Sequence, residues 1–337
     1  GRRHHGRYED AGAPASQGRA PVNGLLVVVA GPTAAGKTTL GAALAERLGG
    51  EVVSADAFAV YRGMDIGTAK PPGELRRRIP HHLIDIADPR EPYSAGSFVR
   101  DAELAIAAIR ARGRVPVVVG GTHFYVRALL HGLFVEPPKD PALRARLEAD
   151  WDADPAAVRT LLQTVDPESA ARIPPRDRQR TLRALEVGLV AGRPMSELWR
   201  TQQPTAAARD HVMLGIVPPR AELHARIEAR VGSMLAAGLL DEVRSLLLQG
   251  VPRGAQALKA IGYRECARVL DGEWSVDRAR DEMTVATRRL AKRQLTWLRS
   301  EPAVEWLAGF GESLVDEVVA RLEARRGSDA RARQGTG

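Results

Sequence analysis

The segment Gly31–Thr38 carries the strongest chemical signal in this sequence. It reads GPTAAGKT, which matches the phosphate-loop pattern G-x-x-x-x-G-K-[ST], and it lies between an apolar run and a helical pattern. Glycines let such a loop wrap a phosphate, while the lysine and the helix N-terminus supply positive charge. We predict a di- or triphosphate site in which the Thr38 hydroxyl binds Mg²⁺. The predicted residues are Gly31, Pro32, Thr33, Ala34, Ala35, Gly36, Lys37 and Thr38.

Two acidic residues are candidates for chemistry beside this loop. Asp56 follows the predicted strand 51–55, and the carboxyl end of a parallel strand faces the site crevice. From the residue alone, a proton acceptor for an incoming nucleophile and a turn or helix cap are equally supported. Asp85, in the segment HHLID, is the best candidate for the strand-end acid of an NTPase. Its strand is short and only partly apolar, which favours a structural role or that of a weak metal helper.

Short apolar runs alternate with helical patterns on both sides of a helical middle segment. Strands are predicted at 25–30, 51–55, 82–86, 115–119 and 212–217, with helices such as 37–48 and 98–112 between them. This alternation predicts an α/β fold, a P-loop NTPase-like parallel sheet flanked by helices. From 133 to 205 the strand pattern vanishes, and prolines punctuate helical patterns. The predicted units are disordered tails at 1–22 and 325–337, a catalytic domain formed by 23–132 plus 206–324, and an all-helical insertion at 133–205.

Composition excludes several classes of protein. The 337 residues include 44% hydrophobic and 27% charged residues, so the chain is not disordered throughout. The single cysteine, Cys266, excludes an intramolecular disulfide framework, and the longest apolar run is far too short for a membrane helix. No secretion signal is recognisable. We therefore expect a cytoplasmic monomer with no membrane partner.

The net charge of +8 is weak evidence for a polyanionic partner, because five of these units lie in the predicted tails. Within the body, two segments concentrate positive charge. Residues 172–183 contain five arginines against Asp177, and residues 253–299 contain eleven basic against six acidic residues. The missing acidic partners in 172–183 predict contact with phosphates.

The motifs together resemble the tRNA dimethylallyltransferase family. The blocks are GPTAAGKT, SADAFAVYRGMDIGTAKP, VVVGGTHFYVRALLHG, DRQRTLRALEV, ALKAIGYRE and TRRLAKRQLTWLR, which occur in the family's order over roughly 25–307. The resemblance implies transfer of a dimethylallyl group from dimethylallyl diphosphate to N6 of adenosine 37, beside the tRNA anticodon. It implies that Asp56 accepts the N6 proton, that Thr33 and Arg230 assist at the diphosphate, and that Mg²⁺ is the cofactor.

The resemblance also implies contacts with the anticodon stem-loop of tRNA. Tyr263 is expected to stack on a base, and the target adenosine must leave its stack to react. The implied tRNA-binding residues are Asp56, Ala57, Phe58, Ala59, Thr122, Arg144, Gln179, Arg180, Thr181, Leu182, Arg183, Lys259, Ala260, Ile261, Gly262, Tyr263 and Arg264.

This chain departs from the family pattern at two places. Where the family has D-S-x-Q, the chain has Asp56-Ala57-Phe58-Ala59, so two hydrogen-bonding side chains are absent. His123 stands where the pattern GGTGLY has its third glycine, and a packing role for it is favoured over a ligand role.

Three other functions remain open at this point. An adenylate isopentenyltransferase acting on a free nucleotide has no need of the arginine segment or of the KAIGYR block. A P-loop small-molecule kinase shows phosphotransfer with Mg²⁺ and no use of dimethylallyl diphosphate. A non-catalytic RNA-binding protein has no need of Lys37, Thr38 and Asp56 together.

Overall fold

A six-stranded parallel sheet forms the centre of the chain. The computed structural model describes residues 25–132, 137, 140–201 and 211–334. The strands are β1 (Leu26–Ala30), β2 (Gly50–Ser54), β3 (His81–His82), β4 (Val115–Gly120), β5 (His211–Val217) and β6 (Val304–Ala308). Their order in the sheet is β3-β2-β4-β1-β5-β6, and all neighbours are parallel. The predicted α/β class with a parallel sheet is therefore confirmed.

Fourteen α-helices surround or extend this sheet over the described ranges. The first ten are α1 (Lys37–Leu48), α2 (Gly73–Arg78), α3 (Ala95–Ala111), α4 (His123–His131), α5 (Pro141–Ala153), α6 (Pro155–Val165), α7 (Pro167–Arg172), α8 (Arg178–Ala191), α9 (Met195–Thr201) and α10 (Arg220–Ala236). The last four are α11 (Leu239–Leu248), α12 (Tyr263–Leu270), α13 (Val276–Leu298) and α14 (Val315–Gln334). No helix in these ranges is long and apolar enough to cross a membrane.

The valine-rich strands are apolar because helices cover both faces of the sheet. Every residue of β1 is buried, and its side chains alternate between two cores. Leu26 and Val28 belong to the core that packs under α3, α4 and α11 to α13, whereas Val27 and Val29 belong to the core under α1 and α14. A strand buried on both sides must be continuously hydrophobic, which explains the run LVVVA.

Helices α5 to α9 pack around a smaller apolar core of their own. Leu147, Trp151, Leu162 and Leu185 are among its buried members. Three of the prolines that punctuate this segment, Pro141, Pro155 and Pro167, stand in the first turn of a helix, after an aspartate that caps it. Proline suits that position because its missing N–H has no intrahelical partner there. The Asp-Pro pairs thus start helices and do not interrupt them.

Two sequence predictions of local structure are wrong. The predicted strand 82–86 is only the two residues of β3, because Leu83 and Asp85 adopt left-handed backbone conformations that end the pairing. The predicted tail from 325 is helical to Gln334, since α14 continues through an Ala- and Arg-rich sequence that favours helix. The predicted tail 1–22 and residues 335–337 lie outside the described residues.

Candidate functional site

Three neighbouring strands end at one edge of the sheet and carry the candidate residues. The phosphate loop follows β1, Asp56 follows β2, and Gly121-Thr122 follows β4, which lies between β1 and β2. The carboxyl ends of parallel strands meet at the same edge, so the fold brings these three loops together. The sequence prediction that Asp56 faces the phosphate loop agrees with this arrangement.

The phosphate loop folds back on its own lysine. Ala34 and Gly36 adopt left-handed conformations, with φ of 64° and 80°. A side chain at Gly36 is disfavoured, because φ is 80° and its Cβ would lie 2.9 Å from the backbone nitrogen of Gly311. The Nζ of Lys37 donates a hydrogen bond to the Pro32 carbonyl over 2.7 Å, inside the loop. The loop therefore holds its cation in place before any anion binds.

Two cations of this site, Lys37 and Arg230, are partly shielded from solvent. Burial is the main reason that the pKa of Lys37 falls to about 8; Arg230 lowers it further, and Asp56 opposes the change. Burial also lowers the pKa of the Arg230 guanidinium, again opposed by Asp56. Two buried cations that repel each other are stabilised by an anion between them. The site is thus prepared for a polyanionic ligand.

Asp56 is oriented by the backbone that follows it. One oxygen, Oδ1, accepts hydrogen bonds from the amides of Phe58 (2.8 Å) and Ala59 (3.1 Å). The Thr122 hydroxyl accepts a third bond, 3.1 Å, from the amide of Ala57. The capping role that the sequence left open is therefore real for Oδ1. It does not compete with a proton-accepting role, because the carboxylate has a second oxygen.

Two cavities meet at the same side chains. One, of about 600 Å³, is lined by the phosphate loop, and the other, of about 470 Å³, is lined by basic residues of α12 and α13 and of the segment before α12. Both cavities are lined by Thr33, Asp56 and Arg230. Sequence reasoning selected these three residues as the catalytic candidates, and the fold places them at the junction. Two ligands that enter from opposite sides would meet there.

A further residue beside the junction, Gln294, lines the phosphate-loop cavity and was not predicted from the sequence. Its side-chain oxygen accepts from the Thr33 amide over 2.7 Å, and its side-chain nitrogen donates to the Gly121 carbonyl over 2.9 Å. Arg289 and Arg293, which line the second cavity, were not singled out either. All three lie in the block TRRLAKRQLTWLR, which carried the resemblance but to which no role was assigned.

His123 occupies its unusual position by packing. Its ring stacks on Trp297 with centroids 4.6 Å apart and an interplanar angle of 21°. Burial, assisted by Lys37 and Arg293, lowers the pKa of His123 to about 4, so the imidazole is neutral at physiological pH. This arrangement agrees with the packing role favoured from the sequence.

Among the predicted RNA-contact residues, six line the second cavity and three have fully buried side chains. Asp56, Phe58, Lys259, Ala260, Ile261 and Arg264 line the second cavity. Tyr263 is fully buried, and its hydroxyl donates to Glu242 over 2.5 Å, so the expected stacking on a base is wrong. Thr181 and Leu182 are also fully buried, in the helical middle segment, and their side chains are not available to RNA. Helix α12 and helix α8 turn these side chains inward to build their cores.

Three of the five arginines in 172–183 have acidic partners that the local charge count missed, and Arg180 pairs with the counted Asp177. Most of those partners lie on neighbouring turns or helices outside the segment. A paired arginine still attracts phosphate, but the argument from missing partners is wrong. The pairs are Arg172–Glu168 (3.7 Å), Arg178–Asp152 (3.0 Å), Arg180–Asp177 (3.2 Å) and Arg183–Glu186 (2.9 Å), and the predicted contact residue Arg144 pairs with Glu148 (2.8 Å).

Asp85 has the structural role that the sequence favoured. Its carboxylate accepts from Lys70 (2.5 Å) and Arg76 (2.6 Å). Burial acts to raise the pKa of Asp85, but the hydrogen bonds from both cations lower it overall. Through Lys70, Asp85 therefore anchors the segment MDIGTAKP beside the end of β3.

Metal-binding side chains are sparse at this site. Within the described ranges, no group of three or more His, Cys, Asp or Glu residues could hold a metal ion. Thr38 is exposed and lines the phosphate-loop cavity, as do the carboxylates of Asp56 and Glu312. This donor set fits Mg²⁺, which usually binds one or two protein oxygens and completes its shell with water and substrate phosphates.

The parallel sheet and the loop that follows β1 define an α/β protein of the P-loop type. A family model described as IPP transferase matches residues 59–301. The chain belongs to this IPP transferase family. It is 52% identical over 284 residues to a tRNA dimethylallyltransferase of Anaeromyxobacter sp. (strain K), covering 84% of this chain and 92% of that protein. A tRNA dimethylallyltransferase of Thermomicrobium roseum is 48% identical over 303 residues, covering 88% and 91%.

Solved structures agree with this assignment. The full-length tRNA isopentenylpyrophosphate transferase of Bacillus halodurans matches with a TM-score of 0.68 and 37% identity, covering 92% of this chain and 99% of that one. A eukaryotic dimethylallyltransferase acting on tRNA matches with a TM-score of 0.78 and 27% identity, covering 92% and 80%. Both the fold and nearly the whole length are therefore shared.

Proposed function

We propose that this protein transfers a dimethylallyl group from dimethylallyl diphosphate to N6 of adenosine 37 in tRNA. The observation that carries the proposal is the junction of the two cavities at Thr33, Asp56 and Arg230. The diphosphate binds on the phosphate-loop side, and the tRNA approaches from the basic side. Relatives named for this reaction support the same conclusion.

The residues at and beside the junction have separate roles in the proposed reaction. The bond between C1 of the dimethylallyl group and the diphosphate oxygen breaks, and the oxygen keeps the electron pair. Lys37, Arg230 and the loop amides stabilise that growing negative charge. The lone pair of the adenine N6 forms the new bond to C1, and Asp56 accepts the N6 proton. The products are N6-isopentenyladenosine and diphosphate.

The Thr38 hydroxyl is the protein oxygen that we propose for Mg²⁺ at the diphosphate. The ion would supply charge neutralisation on the leaving group. Arg230, which lines the same cavity from α10, acts on the same charge from a different element of the fold.

The basic lining of the second cavity supports tRNA as the acceptor. Lys259, Arg264, Arg289 and Arg293 all line it, whereas Asp56 is its only acidic lining residue. Such a lining attracts the phosphates of a polynucleotide and offers little to a small free nucleotide beyond one phosphate group.

Incubation with labelled dimethylallyl diphosphate, Mg²⁺ and unmodified tRNA tests the proposal. We expect label in tRNA at adenosine 37, located by nuclease digestion, and little label in free AMP offered at the same concentration. A matched tRNA with guanosine at position 37 is the control and should remain unlabelled. Label in AMP alone, or phosphate transfer from ATP, would contradict the proposal.

The pKa of Lys37 predicts how diphosphate affinity depends on pH. The charged amine binds the anion, and with a pKa of about 8 in the free protein it loses most of its charge between pH 7 and pH 9. We expect the affinity for dimethylallyl diphosphate to fall by up to about tenfold over that interval. Calorimetric titration at both pH values measures it. Lys37→Met is the control: it should bind more weakly, with little change over the same interval. Equal pH dependence in both proteins would contradict the assignment.

A further inference from the structure

The side chain of Gln294 links the phosphate loop to the loop that follows β4. Its carboxamide is oriented without ambiguity, because the Thr33 amide is only a donor and the Gly121 carbonyl is only an acceptor. The residue is 5% exposed, so water does not replace either bond readily. A buried amide that joins two loops from a third element fixes their relative position.

The contacts of Gln294 extend to the catalytic candidates on both sides. On one side it holds the backbone of Thr33, which lines both cavities. On the other side it holds Gly121, whose neighbour Thr122 accepts from the amide of Ala57, directly after Asp56. The helix that carries Gln294, α13, also carries Arg293 in the lining of the second cavity.

The Gln294 amide occupies the space beside Gly121. A Cβ built on Gly121 would lie 2.3 Å from the Gln294 side-chain nitrogen. The glycine at this position is therefore required by the amide, and its backbone conformation is not the reason, since no positive φ occurs there.

We propose that Gln294 is a positioning residue that keeps the diphosphate loop and the Asp56 loop in register for transfer. This inference rests on the proposed function and adds to it a residue that lines the phosphate-loop cavity with both polar side-chain atoms bonded to the backbone of the surrounding loops. Misplacement of reacting groups by about 1 Å can cost about 10²-fold in rate. Loss of the amide should therefore lower kcat, while each substrate still binds its own half of the site.

The test compares two variants that break the same link from opposite sides. Gln294→Met keeps the volume and removes both hydrogen bonds, and Gly121→Ala displaces the amide without changing it. We expect each variant to lower kcat for tRNA prenylation by about 10- to 100-fold. The Kd values for dimethylallyl diphosphate and for tRNA, measured by calorimetry and filter binding, should stay within about threefold of those of the unaltered protein.

A double variant separates positioning from general destabilisation. Both substitutions break the same link. The double variant, which combines Gln294→Met and Gly121→Ala, should therefore lose less kcat than the product of the two single fold-losses. Thr284→Val is the matched control: it removes a buried hydroxyl of the same helix that bonds only within that helix, and kcat should be unchanged.

Full kcat in Gln294→Met, or multiplicative losses in the double variant, would overturn the proposal. A fall in the affinity for one substrate at constant kcat would also overturn it, since that result means a direct binding role. If the unaltered protein itself transfers no label to tRNA, the proposed function fails instead. The two failures are therefore distinguishable in one set of assays.

Discussion

Asp56→Asn is expected to abolish most of the turnover while leaving the site folded and able to bind. The asparagine keeps a side-chain oxygen for the amides of Phe58 and Ala59, so the turn after β2 is retained. It loses the basic oxygen that receives the N6 proton. Removal of a general base costs about 10²- to 10⁴-fold in rate, and we expect a loss of kcat in that range.

Single-turnover experiments with preformed enzyme–tRNA complex measure this effect without interference from product release. The Kd for tRNA should change by no more than about threefold, because an uncharged side chain of the same size remains at the junction. Asp56→Ala is the companion variant. It removes the cap as well as the base, so it should add a loss of thermal stability to the same loss of rate. A single-turnover rate of Asp56→Asn close to that of the unaltered protein would exclude Asp56 as the base.

The features that the sequence predicts correctly are local ones. The phosphate loop is recognised from eight consecutive residues between a strand and a helix. The position of Asp56 is predicted from the strand that ends directly before it. Both follow from the rule that the carboxyl ends of parallel strands form the site. The side chains that the rule cannot place are those whose partners come from distant parts of the chain.

Gln294 and Tyr263 illustrate two ways in which prediction from the sequence fails: a contact that was not predicted and a predicted contact that does not form. Gln294 contacts Thr33, 261 positions away, so its role exists only after α13 has packed across the strand ends. Tyr263 lies in a block typical of RNA contact, yet its hydroxyl finds Glu242 on α11 and the ring is buried. An aromatic residue beside basic ones suits both stacking on RNA and burial in a core, and only the packing of α11 against α12 decides between them.

Arginine pairing is hidden from the sequence for the same reason. Arg178 pairs with Asp152, 26 positions earlier on α5, and Arg172 pairs with Glu168 one helical turn before the counted segment. A net charge counted over a window records only neighbours along the chain. Helices that lie side by side bring other charges within 4 Å, so local excess charge predicts electrostatic potential better than it predicts free side chains.

Arg230→Met is expected to produce the second large loss of rate. Arg230 lies at the junction of both cavities and is close enough to Asp56 and Lys37 to affect the pKa of the lysine. Its charge is worth most when the diphosphate gains negative charge during bond breaking, because the burial that lowers its own pKa also strengthens its field. Loss of one such stabilising group costs about 10²- to 10³-fold in kcat.

A neighbour on the same face of α10 provides the matched comparison. Arg226 lines the phosphate-loop cavity too, but it is exposed, pairs with Glu312 and lies over the ring of Phe310 at 3.6 Å. Because solvent and Glu312 already screen its charge, Arg226→Met should lower kcat by no more than about tenfold. Steady-state rates at saturating tRNA rank the two variants.

A lysine at position 230 should not restore the rate. Arginine stays charged when buried and presents several donors, whereas a buried lysine readily loses its proton and offers a single point of charge. Beside Lys37, whose own pKa is already lowered to about 8, a second amine would be pushed further toward neutrality. Arg230→Lys should therefore stay at least about tenfold below the unaltered protein in kcat at pH 7.5. Full activity in Arg230→Lys would contradict the need for a guanidinium at this position. A larger loss in Arg226→Met than in Arg230→Met would transfer the main charge-stabilising role away from Arg230.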